Sequence, residues 1–226
     1  MANHIPVITV DGPSGTGKGT LCGRLASNLG YHLLDSGSLY RVLAYIAGKK
    51  NIPLDDIDAL VEEAHKLDLA FENTGELVSI LLADEDISAQ IRTEDCGNMA
   101  SRVAAIPEIR MALLDRQRAF QTDPGLVADG RDMGTVVFPL ADLKIFLTAS
   151  QQIRAERRYK QLNDKENDVN VAHLLSEIAE RDDRDCKRQV APLKPADNAI
   201  VVDTSNLSIA EVEAEVMTLI KERGLA

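Results

Sequence analysis

The chain has 226 residues, a length that suits one core domain with an insertion better than two independent domains. Its 36 acidic residues outnumber its 25 lysines and arginines, and the net charge of −11 at pH 7 argues against a general binder of nucleic acids or membrane surfaces. Any anionic ligand must therefore be held by positive charge concentrated in one place. The three cysteines are widely spaced, and we expect neither a secretory signal nor a membrane span, so we predict a cytoplasmic protein with reduced thiols.

Short apolar runs alternate along the chain with segments of helical periodicity. Leucines recur at helical spacing between residues 18 and 29, and Gly30 follows as a stop; the helix after Gly37 is expected to close at Gly48. Ser208, with Glu211 three residues later, predicts the start of the last helix. The alternation implies a parallel sheet between two layers of helices, with ligands bound beyond the carboxyl ends of the strands. Five strands are predicted, at residues 5–10, 32–34, 126–128, 144–147 and 200–202.

Two segments break the alternation. Between residues 51 and 90, a helical pattern is followed by an apolar stretch that predicts a small antiparallel meander, with turns at residues 73–75 and 84–86. We expect an inserted lobe there. Residues 163–170 are polar and rich in Asp and Asn, which predicts a loop that could form the tip of a mobile flap.

The most specific local motif lies between the first strand and the first helix. It meets the pattern G-x-x-x-x-G-K, in which glycines let backbone N–H groups and a helix N-terminus surround phosphates. Lys18 can reach the terminal phosphates, whereas Gly19 replaces the usual Ser or Thr and leaves direct Mg²⁺ ligation by the hydroxyl of Thr20 open. A merely flexible turn is the alternative, which the strand-to-helix context disfavours. The loop comprises Gly12, Pro13, Ser14, Gly15, Thr16, Gly17, Lys18, Gly19 and Thr20.

Positive charge is concentrated in the second half of this acidic chain. Eleven of the fifteen arginines lie between residues 102 and 188, and Arg suits bidentate phosphate contacts. The spacing predicts two clusters: one helical face carries Arg154, Arg157 and Arg158, and another carries Arg181, Arg184, Asp185 and Arg188. Either cluster alone could be a solvated helix face with i,i+4 ion pairs, but beside a phosphate loop the two clusters favour anion binding.

These segments, in this order, resemble bacterial-type cytidylate kinases of the nucleoside monophosphate kinase family over essentially the whole chain. Several nucleoside monophosphate kinases share the loop, whereas D-S-G at 35–37, G-R-D-M-G at 130–134 and R-D-D-R-D at 181–185 are more specific. The resemblance implies an α/β P-loop NTPase fold of three layers, with a five-stranded parallel sheet flanked by helices. It implies one domain, residues 1–226, with an inserted NMP-binding lobe at about 50–98 and a helical lid at about 151–170.

The implied reaction is phosphoryl transfer from ATP to CMP or dCMP with Mg²⁺. The acceptor phosphate is largely a dianion at pH 7, so no general base is needed, and catalysis would come from positioning and neutralising two anions. Asp129 follows a buried-looking strand and could hold Mg²⁺ through water, as could Thr20, although Asp129 could equally be a turn residue. Asp11 and Tyr40 are interpreted as packing residues.

The resemblance also implies roles for individual side chains. A cytosine pocket needs both an acceptor and a donor, which Ser36, Ser101, Arg110 and Asp132 can supply. The implied catalytic cations are Lys18, Arg131, Arg158, Arg181 and Arg188; Arg157 joins the loop in binding ATP, and Arg154 closes from the lid. The implied acceptor site comprises Ser36, Arg41, Ser101, Arg110, Arg131, Asp132, Arg181, Asp185 and Arg188.

Two other readings stay open at this point. A P-loop kinase could act on UMP, AMP or an alcohol, and a non-catalytic switch could bind ATP without transferring phosphate. The arginine clusters weigh against a switch, because a switch has no second phosphate to neutralise. We expect a monomer that binds small molecules and neither nucleic acid nor a membrane.

Overall fold

The computed structural model describes residues 4–73, 78–163 and 170–226. Within these ranges, five strands form a parallel sheet in the order β2-β6-β1-β7-β8, and three strands form a separate antiparallel sheet in the order β3-β4-β5. The strands are β1 (Val7–Asp11), β2 (His32–Asp35), β3 (Leu69–Asn73), β4 (Val78–Leu82), β5 (Glu85–Asp86), β6 (Leu126–Gly130), β7 (Leu143–Thr148) and β8 (Ile200–Asp203).

The helices connect these strands and cover both faces of the large sheet. They are α1 (Lys18–Leu29), α2 (Ser36–Lys50), α3 (Ile57–His65), α4 (Ser88–Ile91), α5 (Glu94–Val103), α6 (Pro107–Arg118), α7 (Gln151–Asn163), α8 (Val171–Lys187) and α9 (Ile209–Glu222). One π-helical turn, Met133–Val137, follows β6. None of the helices in the described ranges is both long and apolar enough to cross a membrane.

The period-2 alternation of β1 divides the core into two layers. Val7 packs with the cluster that includes buried residues of α2, α3, α5 and α6, whereas Ile8 and Val10 pack with α1 and α9 on the opposite face. Ile80 of the meander belongs to the same cluster as α2, so the small sheet shares a core with the helices beside it. The predicted α/β architecture with a five-stranded parallel sheet is confirmed.

The register brings acidic residues together at one edge of the large sheet. Asp35 of β2 pairs with Asp129 of β6, and Asp11 of β1 pairs with Gly130. Strands β1 and β2 run one residue beyond their predicted ends and β6 runs two, so these aspartates belong to the strands themselves. The carboxyl ends of three neighbouring strands therefore lie beside the loop that follows β1.

Two expected boundaries differ from the structure. The second helix does not close at Gly48 but continues to Lys50, because Asn51 takes the left-handed conformation (φ 53°) that ends it. The second turn of the meander is formed by Ala83 and Asp84, both with positive φ, so residues 85 and 86 form a strand. Residues 74 and 75 of the first turn, and residues 164–169 of the proposed flap tip, lie outside the described residues.

Two helix ends complete the comparison with the expected elements. The predicted start of the last helix is confirmed, because Ser208 and Glu211 form a reciprocal capping box. Helix α8 ends at Lys187, and Arg188 has an extended ψ of 136°, so Arg188 does not share a helical face with Arg181 as the spacing predicts. Arg188 instead begins the segment that leads to β8.

Candidate active site

A pocket of about 190 Å³ opens where the carboxyl ends of β2 and β6 meet α1, α2, α5, α6 and α8. Six cations and four carboxylates line it, in a chain whose net charge is −11. Its lining comprises Ser14, Lys18, Asp35, Ser36, Gly37, Tyr40, Arg41, Ala100, Ser101, Ala104, Arg110, Asp129, Gly130, Arg131, Asp132, Arg181, Asp185 and Arg188.

The glycine-rich loop lies at one end of this pocket and requires glycine at defined points. At Gly12, φ is 144° and an added Cβ would lie 2.1 Å from the carbonyl oxygen of Leu147 in the neighbouring strand. At Gly17, φ is 92°, which turns the chain into α1. The loop can therefore pass close against the sheet and present the N-terminus of α1 to the pocket.

Lys18 is buried beneath this loop. Its ammonium donates to the carbonyl oxygen of Pro13 at 2.9 Å and lies 4.0 Å from Oδ1 of Asp129. Burial lowers the pKa of Lys18, and the guanidinium of Arg131 lowers it further, while Asp129 opposes both. Burial raises the pKa of Asp129, which Lys18 counteracts. An anion at the loop would stabilise the charged form of Lys18.

The carboxylate of Asp129 is the described group best placed to hold Mg²⁺. Its Oδ2 lies 3.6 Å from the point that a Cβ at Gly19 would occupy, so the glycine leaves the space above this oxygen open. Thr20 follows on the exposed side of α1. Within the described ranges no three His, Cys, Asp or Glu side chains come together as a metal site. Mg²⁺ commonly binds one or two protein carboxylates together with waters and substrate phosphates, so Asp129 could hold it without such a cluster.

Three arginines lie close to Lys18, and nearby carboxylates neutralise their positive charges only in part. Arg131 donates to Oδ2 of Asp185 at 3.0 Å, and Arg41 donates to the carbonyl oxygen of Ile91 at 2.6 Å. Arg181 has a buried Nε without a hydrogen-bond partner among the described residues. Burial, followed by repulsion from Arg131 and Arg41, lowers the pKa of Arg181 to about 9. Such an arrangement is a site for a multiply charged anion.

A small residue on the neighbouring helix makes room for one of these arginines. A Cβ at Gly97 of α5 would lie 2.8 Å from a terminal nitrogen of Arg41. Because Gly97 has no side chain, the guanidinium of Arg41 can lie across α5 and point to the pocket. A larger residue at this position would displace it.

At the other end of the pocket, the charged side chains are paired with each other and lie beside an aromatic ring. Arg110 forms a buried ion pair with Asp132, donates to the carbonyl oxygen of Ala104 at 3.2 Å, and its guanidinium carbon lies 5.6 Å from the ring centroid of Tyr40. Ser101 donates to Oδ1 of Asp185 at 3.1 Å. This end therefore offers paired hydrogen-bonding groups beside an aromatic ring, which suits a heterocyclic base better than a phosphate.

Asp11 does not line the pocket, but it contacts the segment that follows β6 and contains a pocket residue. Its two carboxylate oxygens accept hydrogen bonds from the backbone N–H groups of Met133 and Gly134, each at 2.8 Å. Burial raises the pKa of Asp11 to about 6, against the effect of these two N–H groups. These two hydrogen bonds give Asp11 a structural role, because they hold the segment that contains Asp132.

The three arginines of α7 do not line the pocket. Arg154 ties the loop to α8, because it donates to the carbonyl oxygen of Ser14 at 3.0 Å and to Oδ1 of Asp182 at 3.0 Å. Arg157 donates to Oγ1 of Thr204 at 3.1 Å, and Arg158 forms an ion pair with Glu94. Their action on a transferring group stays a prediction.

The structure brings all nine expected acceptor-site residues together in the lining of the pocket. Tyr40 is packed as expected, yet it also lines the pocket, which its pattern in the sequence did not indicate. Asp35 lines the pocket as well and was implicit in the D-S-G segment. The residues that line the pocket as the resemblance implies are Lys18, Ser36, Arg41, Ser101, Arg110, Arg131, Asp132, Arg181, Asp185 and Arg188, together with Ser14 of the loop and Asp129.

Comparison with known families supplies an independent finding. The sequence model of a family described as Cytidylate kinase matches residues 8–222. A protein of Aeromonas salmonicida named Cytidylate kinase is 57% identical over 223 residues, which cover 99% of this chain and 97% of the relative. A protein of Photobacterium profundum with the same name is 57% identical, with 98% of this chain and 97% of the relative covered.

A solved structure gives a comparison of the fold alone. The crystal structure of an uncharacterized protein from Eubacterium ventriosum has a TM-score of 0.53 at 12% identity. The match covers 97% of this chain and 99% of the other. The same arrangement of strands and helices thus extends to sequences that share few residues with this chain.

Proposed function

The chain belongs to the cytidylate kinase family and is therefore a nucleoside monophosphate kinase. We propose that its pocket binds CMP or dCMP and its glycine-rich loop binds ATP, so that a phosphoryl group passes from ATP to give ADP and CDP or dCDP. One observation carries this assignment: six cations and only four carboxylates line a pocket in a chain with a net charge of −11. Two phosphate-bearing ligands would supply the missing negative charge.

The donor phosphates are assigned to the loop and Lys18. Backbone N–H groups at the N-terminus of α1 face this end of the pocket, and the ammonium of Lys18 is held there by the carbonyl oxygen of Pro13. The remaining loop residues, from Gly12 to Thr20, surround the phosphates through their backbone. Arg157 is assigned to the ATP side because it contacts Thr204, which in turn donates to the carbonyl oxygen of Thr16 in the loop.

The acceptor phosphate is assigned to the neighbouring arginines. Arg41, Arg131 and Arg181 line the same pocket as Lys18, Arg110 and Asp132. Arg188, whose Nη2 is buried without a partner among the described residues, can reach either the phosphate or the base. Asp185 accepts from Arg131 and Ser101 and so orients both groups at the sugar position.

The chemistry requires positioning and charge neutralisation and no general base. The acceptor oxygen is already largely deprotonated at pH 7, because the second pKa of a phosphate monoester is about 6. Lys18, Arg131, Arg181 and Arg188 would hold the two phosphates in line and reduce their repulsion, and Arg158 would join them from α7. Mg²⁺, when bound through Asp129 and water near Thr20, supplies further neutralisation of the donor phosphates.

Closure of the peripheral segments completes the proposal. A lobe at about 50–98 and a lid at about 151–170 that close over the substrates would exclude water and limit wasteful hydrolysis of ATP. A monomeric state, a cytoplasmic location and the absence of nucleic-acid or membrane partners remain predictions from the sequence.

The test is an acceptor panel. ADP release from ATP and Mg²⁺ is measured with CMP, dCMP, UMP, AMP and GMP offered separately. We expect turnover largely confined to CMP and dCMP. Turnover with a different monophosphate alone would overturn the assignment of Ser36, Ser101, Arg110 and Asp132, and ATP binding without turnover of any acceptor would favour a switch.

A further inference from the structure

Gln117 lies in α6, seven residues after Arg110, and is almost completely buried, with 1% of its surface exposed. It is not part of the pocket lining, but it contacts a residue that is. The hydroxyl of Ser36 donates to Oε1 of Gln117 at 2.7 Å. At the other end of the carboxamide, Nε2 donates to the carbonyl oxygen of Leu113 at 3.3 Å.

The carbonyl group of Leu113 decides the orientation of the Gln117 carboxamide. If the carboxamide were rotated by half a turn, Oε1 would face the carbonyl oxygen of Leu113, and two acceptors would meet without a proton in a buried site. Nε2 therefore faces Leu113, and Oε1 faces Ser36. Because Oε1 can only accept, the hydroxyl of Ser36 must direct its single proton to Gln117.

The direction of this proton determines what Ser36 offers to a ligand. With its proton committed to Gln117, the Oγ atom presents only lone pairs to the pocket. Asp132, which lines the same pocket, is also an acceptor. A ligand group that faces Ser36 must therefore be a hydrogen-bond donor, and a carbonyl oxygen in its place would face a lone pair.

We propose that Gln117 is a positioning residue for base selection: it holds the Ser36 hydroxyl as an acceptor and so favours a pyrimidine with a 4-amino group over one with a 4-oxygen. The inference rests on the proposed function, in which this pocket holds the base of the acceptor. Cytosine carries the 4-amino donor, whereas uracil carries an acceptor at that position. A buried polar group left without its partner costs binding free energy, which gives selectivity.

The test compares kcat/KM for CMP and UMP in the wild type and in Gln117→Met. Methionine keeps a similar length and volume but removes the acceptor. The freed hydroxyl of Ser36 can then turn its proton towards a 4-oxygen. We expect the ratio of kcat/KM for CMP to that for UMP to fall by about tenfold. The change should arise mainly in KM for the nucleoside monophosphate, with KM for ATP unchanged.

Two further variants separate hydrogen-bond direction from packing. Burial keeps the carboxyl group of Gln117→Glu protonated, and its proton can be donated to the carbonyl oxygen of Leu113 in place of the amide N–H. The other oxygen then still accepts from Ser36, so this variant should retain the wild-type ratio. A role in packing alone predicts instead that Met is tolerated better than a buried carboxyl group. In a Ser36→Ala background, Gln117→Met should cause no further change in the ratio, because the hydroxyl that it orients is absent. Gln121→Met is the matched control, since the Gln121 amide donates to the carbonyl oxygen of Ile5, and it should leave the ratio unchanged.

The outcomes distinguish this inference from the function on which it rests. An unchanged ratio in a folded Gln117→Met protein, or a lost ratio in Gln117→Glu, overturns the role of Gln117 and leaves the kinase assignment in place. A wild type that shows no turnover with CMP overturns both. If Gln117→Met does not fold, the other two variants test the proposal. A CMP-to-UMP ratio that is retained in Gln117→Glu and reduced in Ser36→Ala supports it. Any other combination of these two ratios contradicts it.

Discussion

The ammonium of Lys18 lies 4.0 Å from Oδ1 of Asp129, and both groups are buried where the glycine-rich loop meets the end of β6. Each charge offsets the burial of the other. Burial lowers the pKa of Lys18 and raises that of Asp129, whereas their mutual attraction acts in the opposite direction on both. The pair holds the ammonium beside the loop, where, under the proposed function, we expect the phosphates of a nucleotide to replace the carboxylate as its partner.

Replacement of Lys18 by methionine should abolish most turnover while the protein stays folded. The variant keeps the apolar stem but loses the cation that faces the donor phosphates, so we expect kcat to fall by roughly 10²- to 10³-fold. Turnover is measured by ADP release with CMP, and folding by circular dichroism. Lys66→Met, which removes an exposed ion pair with Glu62, is the control and should keep wild-type turnover. A kcat within a factor of three of the wild type would exclude a role for Lys18 in transfer.

Replacement of Asp132 by asparagine should impair acceptor use far more than ATP binding. The change removes the carboxylate that pairs with buried Arg110 and accepts from the base, so we expect kcat/KM for CMP to fall by roughly 100-fold. KM for ATP should change by less than about threefold, because the loop is held by other contacts. Steady-state kinetics with each substrate varied separately test this. Equal losses for CMP and ATP would refute a role for Asp132 in the acceptor pocket.

Replacement of Arg181 by methionine should stabilise the protein without nucleotide and yet reduce turnover. The Nε of Arg181 is buried without a hydrogen-bond partner in ranges 4–73, 78–163 and 170–226, and burial together with Arg131 and Arg41 lowers the pKa of this guanidinium to about 9. Removing it relieves repulsion, and we expect the free energy of unfolding to rise by about 1 kcal/mol in denaturant titrations. CMP should then raise the melting temperature less in this variant than in the wild type.

A neighbour on α8 provides the control for this prediction. Arg184 donates to Oδ1 of Asn98 at 3.2 Å, whereas the Nε of Arg181 has no hydrogen-bond partner among the residues that the structure describes. Arg184→Met should therefore lower the free energy of unfolding or leave it unchanged. If Arg181→Met is destabilised as much as Arg184→Met, the charge of Arg181 is not the source of strain in the empty pocket.

The contribution of Asp11 to stability should depend on pH in a defined window. Its pKa in the folded protein, raised chiefly by burial to about 6, lies above the ordinary value of 3.8. Between these values the folded state binds more protons than the unfolded state, so stability falls as pH rises from 4 to 6. Burial of the charge thus costs about 2 to 3 kcal/mol above this window, and the cost disappears below it.

An asparagine at position 11 cannot titrate, so it removes this pH dependence. Asp11→Asn leaves one of the N–H groups of Met133 and Gly134 without a partner and should destabilise the protein by about 1 to 3 kcal/mol. The difference in unfolding free energy between wild type and variant should be larger at pH 5 than at pH 8. Urea titrations at both values test the sign, with the exposed Asp115→Asn as the control. A difference that grows with pH would contradict the raised pKa.

The elements of the large sheet could be predicted because their signals are local. The apolar run that forms β1, the leucine spacing of α1 and the capping box at Ser208 each depend on residues less than fifteen positions apart. The end of α2 could not be predicted in the same way. Gly48 lies within the helix, and Asn51 ends it. Both residue types can adopt the left-handed conformation that ends a helix, and the packing of the following segment decides which of the two residues adopts it.

The partners of the arginines could not be predicted from spacing. The i,i+4 pattern favours an ion pair of Arg181 with Asp185, yet the carboxylate of Asp185 accepts from Arg131, 54 residues away, and from Ser101. Likewise Arg158 pairs with Glu94, 64 residues away in the sequence. Gln117 gave no signal at all, because a single buried glutamine in a helix acquires its role only from the hydroxyl that reaches it.

The sequence by itself determined that this protein handles phosphates, because nine contiguous residues between a strand and a helix form the loop and need no distant partner to be recognised. It also determined the order of strands and helices along the chain. The resemblance implied the five arginines that line the pocket, but only the tertiary structure decided which acceptors each arginine contacts. The physical reason is competition, because folding decides which acceptors reach each buried guanidinium. Arg154 is bound by Asp182 and the loop, whereas the Nε of Arg181 has no hydrogen-bond partner in the part of the chain that the structure describes.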